Sequence, residues 1–259
     1  MGIKVILTLI LPLLGTSLGA GMVFFLKEEL PIQMKKLFIG FASGVMIAAS
    51  FWSLLLPSLE QAAYLKNLSF LPAAIGFMVG LFFLLILDVI TPHIHMDNTA
   101  EGPKSGLKRT TKLVLAITLH NIPEGMAVGA VMAAWLSGNQ SISFFAALAL
   151  SLGIAIQNFP EGAIVSMPLL ADGEEKMKTF WMGVLSGVVE PLAALITVFF
   201  SKMVVDLLPY LLSFAAGAML YVVVEEMIPE LQEGHHSNLG TISFGVGFVL
   251  MMILDVLLG

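Results

Sequence analysis

His120, Asn121 and Glu124 lie in "LHNIPEG", residues 119–125, and Gln157, Asn158 and Glu161 lie in "IQNFPEG", residues 156–162. Both stretches are set in long apolar runs. On an α-helix each residue advances about 100°, so each triplet occupies roughly a quarter to a third of the circumference. One imidazole, two carboxylates and several amide oxygens then face one space. A mixed nitrogen–oxygen set of this kind suits a divalent first-row metal, whereas calcium and magnesium favour oxygen alone. Copper(I) asks for more sulfur than one methionine gives. Zinc, iron(II) and manganese(II) all fit, and zinc binds most strongly of the three.

The elements that must hold these groups follow from composition. Of 259 residues, 58% are hydrophobic and only 12% charged, with a mean hydropathy of +0.97. Soluble domains carry about a quarter charged residues, so the chain is an integral membrane protein with little or no soluble part. No nucleic-acid partner is expected. The absence of cysteine excludes disulfides and thiolate metal sites. Spans of about 20 apolar residues are needed to cross a bilayer. Eight are expected, at 3–26, 37–57, 69–91, 112–135, 142–166, 178–201, 204–228 and 239–258, in a single membrane domain. A longer loop, 92–111, follows the third span, and "LSGNQS" and "ADGEEK" read as turns. The first span is read as retained and not cleaved as a signal peptide, because its apolar residues continue beyond "LGA".

Orientation follows from loop charge. Lys27, Lys35, Lys36, Lys104, Lys108, Arg109, Lys112, Lys176 and Lys178 fall on one side, against Lys4, Lys66 and Lys202 on the other. The richer side faces the cytoplasm, which places both termini outside.

The acids are the energetic puzzle. A charged side chain at the bilayer centre costs about 3 kcal/mol, and two cost about 6 kcal/mol. Lys and Arg are absent from the apolar runs except at their ends, so only a proton or a cation remains to meet Glu124 and Glu161. Glu190, in "VVEPLA", has the same warrant as a ligand, the alternative being a protonated structural glutamate. Pro123 and Pro160 each remove a helix donor, leaving the carbonyls of Leu119 and Ile156 to find other partners.

The chain also repeats itself. "FMVGLFFLLILDV" (77–89) matches "FGVGFVLMMILDV" (244–256), and "FASGVM" (41–46) resembles "FAAGAM" (214–219). Gly15 and Gly19 faintly echo Gly183 and Gly187, and the two opening motifs repeat each other. Each matched pair would run in opposite directions, giving a three–two–three inverted repeat with a site at the midplane. Asp88 and Asp255 then mirror each other at opposite faces, where a solvated helix end and an ion path are equally open readings. Leu150 and Ile154 share a face with Gln157; by spacing alone they read as ordinary packing. His93, His95, His235 and His236 fall in loops, where solvation and metal collection are both open.

Two other functional classes could draw on the same residues. A metal hydrolase could use His120 and Glu124, but an H-E-x-x-H zinc site needs a second histidine on that helix. A proton-coupled solute carrier predicts aromatic or apolar residues around the motifs, where dense N/O ligands stand instead.

With "HNIPEG" followed by "QNFPEG", the glutamate of the sixth span and eight spans, the chain resembles the ZIP metal transporters, in the bacterial branch related to GufA and ZupT. The likeness covers essentially the whole sequence. It implies a transporter, not an enzyme, that carries zinc, and also iron, manganese or cadmium, across the cell membrane into the cytoplasm by alternating access. It implies one metal position at His120, Glu124, Gln157 and Glu161 with Met46 nearby. A second uses Asn121, Asn158 and Glu190, bridged by Glu124 and Glu161. Met46, Ala49, Leu150 and Ile154 match an outer apolar gate. Asp88, His93, His95, Glu225, Glu226 and His236 match an exit route, and a homodimer is suggested. Some members carry aspartate where this chain has Asn158, which implies weaker binding at the second position. The loop after the third span is poorer in histidine than in many eukaryotic members.

Overall fold

The computed structural model describes residues 2–26, 30–94, 100–139, 141–200, 206–232 and 237–259. Within them are eight helices long and apolar enough to cross a membrane. They are α1 (Ile3–Phe24), α2 (Ile32–Gln61), α3 (Phe70–Ile90), α4 (Arg109–Leu136), α5 (Phe144–Ala171), α6 (Lys176–Phe199), α7 (Leu208–Leu231) and α8 (Leu239–Leu258). A helix suits hydrocarbon because it satisfies its own backbone groups. Turns occur where expected: Gly138 and Gly173 adopt φ of +81° and +89° just after α4 and α5, a region other residues enter at a cost. The Ser143 hydroxyl caps α5 by accepting from the Ala146 amide at 2.9 Å. Beyond α3, β1 (His93–Ile94) pairs antiparallel with β2 (Ala100–Glu101), so part of the 92–111 loop folds back on itself.

Prolines do not end these helices. Pro12, Pro123, Pro160 and Pro168 all sit inside continuous helix. Each removes the donor for a carbonyl one turn back, which something else must supply. At Pro12 the supplier is α5: the Ser151 hydroxyl donates to the Thr8 carbonyl at 2.5 Å.

Helix α5 runs past its expected end at 166 to Ala171, and two other helices run past a proline. The spans expected to end at 57 and 228 continue beyond Pro57 to Gln61 in α2 and beyond Pro229 to Leu231 in α7. In each, a wider π-helical turn precedes the proline, at Ser50–Leu55 and Val223–Met227. The extra residue in such a turn absorbs the missing donor and the ring's bulk.

Close packing joins α2 to α8 and α3 to α7, and likewise α1 to α5 and α4 to α6. Glycines make these approaches. A Cβ at Gly44 would overlap the Phe244 carbonyl and one at Gly247 that of Phe41. At Gly217 it would meet the Phe77 carbonyl and at Gly80 that of Phe214. These are corresponding positions of the repeated segments, so like residues make like contacts. The glycines of the faint echo between α1 and α6 make unlike contacts. Gly15 and Gly19 lie against Ala155 and Phe159 of α5, while Gly183 and Gly187 lie against Ala20 and Thr16 of α1.

Candidate metal site

α4 and α5 carry the two motifs and cross beside one another, with α6 closing on α4 and α1 on α5. Gly125 and Gly162 set the separations. A Cβ at Gly125 would strike the Glu190 backbone, and one at Gly162 the backbone of Thr16. Side chains of the motif residues therefore project between four tightly packed helices.

Three polar groups result. In the first, the Gln157 amide donates to Glu124 Oε1 at 2.6 Å, linking α5 to α4. Glu124 Oε2 and Gln157 Oε1 are buried with no hydrogen-bond partner. In the second, the Asn158 amide donates to Glu190 Oε2 at 2.8 Å and lies 3.4 Å from the Pro12 carbonyl. The Thr16 hydroxyl donates to Glu190 Oε1 at 3.2 Å, and the Asn121 amide donates to the Ser186 carbonyl at 3.0 Å. Asn121 Oδ1 and Asn158 Oδ1 are left buried and unpartnered. Buried polar atoms without partners cost about 1–3 kcal/mol each, and oxygens placed in this way have the chemistry to hold a cation.

The third group departs from expectation. His120 Nε2 lies 2.5 Å from Glu226 Oε1 of α7 instead of turning to Gln157. One ligand atom from each of Asp88, His120 and Glu226 falls within 4.8 Å of the others. Asp88 is fully buried, and so is His93, whose Nε2 stands 3.7 Å from Asp88 Oδ1. Neither is the solvated end that sequence alone left open. The His93 ring holds the Thr91 carbonyl at 2.8 Å through Nδ1, which aims Nε2 at the aspartate. Asp255, at the corresponding place in α8, accepts from the Ser53 hydroxyl at 2.7 Å.

Glu161 is half-buried and lines a cavity of about 40 Å³ together with His120, Glu124, Glu226 and Glu230. That is room for a few waters. A neighbouring cavity shares Ile117, Ile164, Glu226 and Glu230 and reaches Ile94, next to His93. Met46, Ala49, Leu150 and Ile154 belong to the continuous apolar core, none more than 1% exposed. Glu225 is exposed and turns away from its neighbour Glu226. His95 and His236 lie outside the described residues.

Sequence reasoning missed Thr16, Glu230 and the carbonyls of Pro12 and Ser186. Glu230 had a signal, since it falls one helical turn after Glu226. Thr16 had none from composition, being a hydroxyl in an apolar helix that back-bonds in many proteins without function.

The ZIP zinc transporter family description matches residues 97–255, more than half of the sequence and the part that holds both motifs, Glu190 and Glu226. The chain belongs to this family. It is 38% identical to zinc transporter ZIPB of Bordetella bronchiseptica, over 95% of this chain and 78% of that one. It is 35% identical to zinc transporter GufA of Myxococcus xanthus, over 95% and 96%. Zinc transporter ZIP11 of Bos taurus is 36% identical over 94% of each. As a ZIP-family chain with eight spanning helices, it is a multi-pass membrane protein.

Proposed function

We propose that this chain transports zinc, as a transporter and not an enzyme, and moves it into the cytoplasm by alternating access; iron(II), manganese(II) and cadmium are further cargo. Membership of a zinc-transporter family supports the zinc assignment. The metal enters from outside past Met46, Ala49, Leu150 and Ile154, a reading supported by their burial together in the apolar core. It exchanges water for Glu124, Gln157, Glu161 and His120, with Asn121, Asn158 and Glu190 forming a second position. His120 turns between Glu226 and the cargo, and Asp88, His93, Glu226 and Glu230 draw the ion onward. The matched helix pairs support a three–two–three inverted repeat with both termini outside, the arrangement that gives two conformations open to opposite faces. The plasma membrane is the site of action, and the resemblance suggests a homodimer.

One observation carries this reading. Glu124 and Glu190 are each 1% exposed, yet their hydrogen-bond partners among the described residues are only amides and a hydroxyl. Neutral donors do not compensate two buried carboxylates; a proton or a divalent cation does, and the unpartnered amide oxygens of Asn121, Gln157 and Asn158 favour the cation. Zinc uptake into proteoliposomes tests it. Glu124→Ala and Glu161→Ala should abolish uptake while the protein stays folded by thermal melting; unimpaired uptake by both would refute the site.

A further inference from the structure

Two contacts made by the Glu190 segment recur around a residue on a different helix. Asn121 of the first motif donates to the Ser186 carbonyl, four residues before Glu190. Asn158 of the second motif lies against the Pro12 carbonyl, four residues before Thr16. Gly125 of the first motif rests on the backbone of Glu190, and Gly162 of the second rests on the backbone of Thr16. Thr16 thus stands toward α5 as Glu190 stands toward α4, and the two side chains meet at 3.2 Å.

From this we infer that Thr16 is the counterpart of Glu190 and completes the second metal position from α1, a helix to which no ligand is otherwise assigned. The inference rests on the transport reading above and adds a residue to it. Thr16 is 1% exposed, and its hydroxyl has two acceptors within reach, Glu190 Oε1 at 3.2 Å and the Pro12 carbonyl at 3.4 Å. A hydroxyl has one proton and two lone pairs. Without cargo the proton goes to the nearer acceptor and helps hold the carboxylate in place. When a divalent ion takes Glu190, the proton turns to the Pro12 carbonyl and a lone pair faces the ion. Asn158 works in the same sense: its amide holds Glu190 Oε2 while its own Oδ1 stays unpartnered. The second position is held open by donors that can give way, which a neutral oxygen does at less cost than a fourth carboxylate would.

The test uses the full chain in proteoliposomes, with initial zinc uptake measured across zinc concentrations. Thr16→Val keeps the shape and removes the hydroxyl. It should raise KM for zinc about tenfold, the scale of one hydrogen bond to a charged group, with a smaller change in maximal rate. Thr16→Ser should restore KM to within about twofold, since it returns the oxygen and not the methyl. Unchanged KM in Thr16→Val, in a preparation where Glu190→Gln is impaired, would overturn the role of Thr16 and leave the transport reading intact. Failure of Thr16→Ser to restore an impaired Thr16→Val would also overturn it, by assigning the effect to packing against Gly187. Should Thr16→Val not fold, Thr16→Ala takes its place against the same serine control, with the same two outcomes.

Discussion

The Gln157 amide donates a hydrogen bond to Glu124 Oε1 at 2.6 Å, so the two motif helices touch through unlike members of like sequences. The first motif opens with an imidazole and the second with an amide. His120 meets Glu226 on α7, while Gln157 meets Glu124.

Gln157 therefore holds Glu124 ready and offers Oε1 as a ligand. Gln157→Leu removes both at nearly constant volume. KM for zinc should rise about tenfold or more in proteoliposome uptake, because a hydrogen bond to a charged group and a ligand atom are lost together.

His120 and Glu226 should behave as one unit. His120→Ala and Glu226→Ala are each expected to slow uptake, and the double variant should be slowed less than the two effects combined. Residues in direct contact show coupling of about 0.5–3 kcal/mol in such cycles. Initial rates for the four proteins provide the measurement, and strict additivity would separate the two residues.

Gly125 and Gly162 set the distance between the motif helices and their covers. Gly125→Leu and Gly162→Leu push a side chain into a neighbouring backbone that cannot yield as a flexible side chain would. Overpacking of this kind costs about 1–3 kcal/mol. Melting temperature in detergent, measured without metal, should fall for both, whereas Gly2→Ala, where nothing stands nearby, should leave it unchanged.

The apolar plug lends itself to thiol chemistry, since the chain has no cysteine of its own. Ala49→Cys should resist a membrane-impermeant maleimide, because the position is fully buried. Adding Ile154→Asn puts an amide into the plug and should admit water, making that thiol reactive. Equal labelling with and without the asparagine would show that Ile154 takes no part in sealing.

The fold was largely legible because length and hydropathy alone mark a spanning helix, and because proline and glycine mark its motifs. Legibility failed where tertiary contacts overrule local rules. The expected spans end near Pro57 and Pro229, and each helix continues past its proline beyond a π-helical turn, invisible to a period of 3.6. The contact of His120 with Glu226 was not readable, because it depends on how α7 packs on α4. For Asp88 the sequence leaves a solvated helix end and an ion path equally open. It is buried because β1 and His93 fold over it, and two-residue strands leave too little pattern to detect.

The Ser50–Leu55 and Val223–Met227 turns each hold one residue more than an ordinary turn. Removing a residue elsewhere in α2 or α7 swings everything downstream by about 100° around the axis. Removing one inside these turns lets the coil tighten in place, with both flanking halves keeping their neighbours. Slack of this kind exists in each helix at the point where a side chain reaches an aspartate-bearing neighbour, Ser53 toward Asp255 and Glu226 toward the Asp88 cluster. A tightening coil would withdraw either side chain without unseating the helix that bears it.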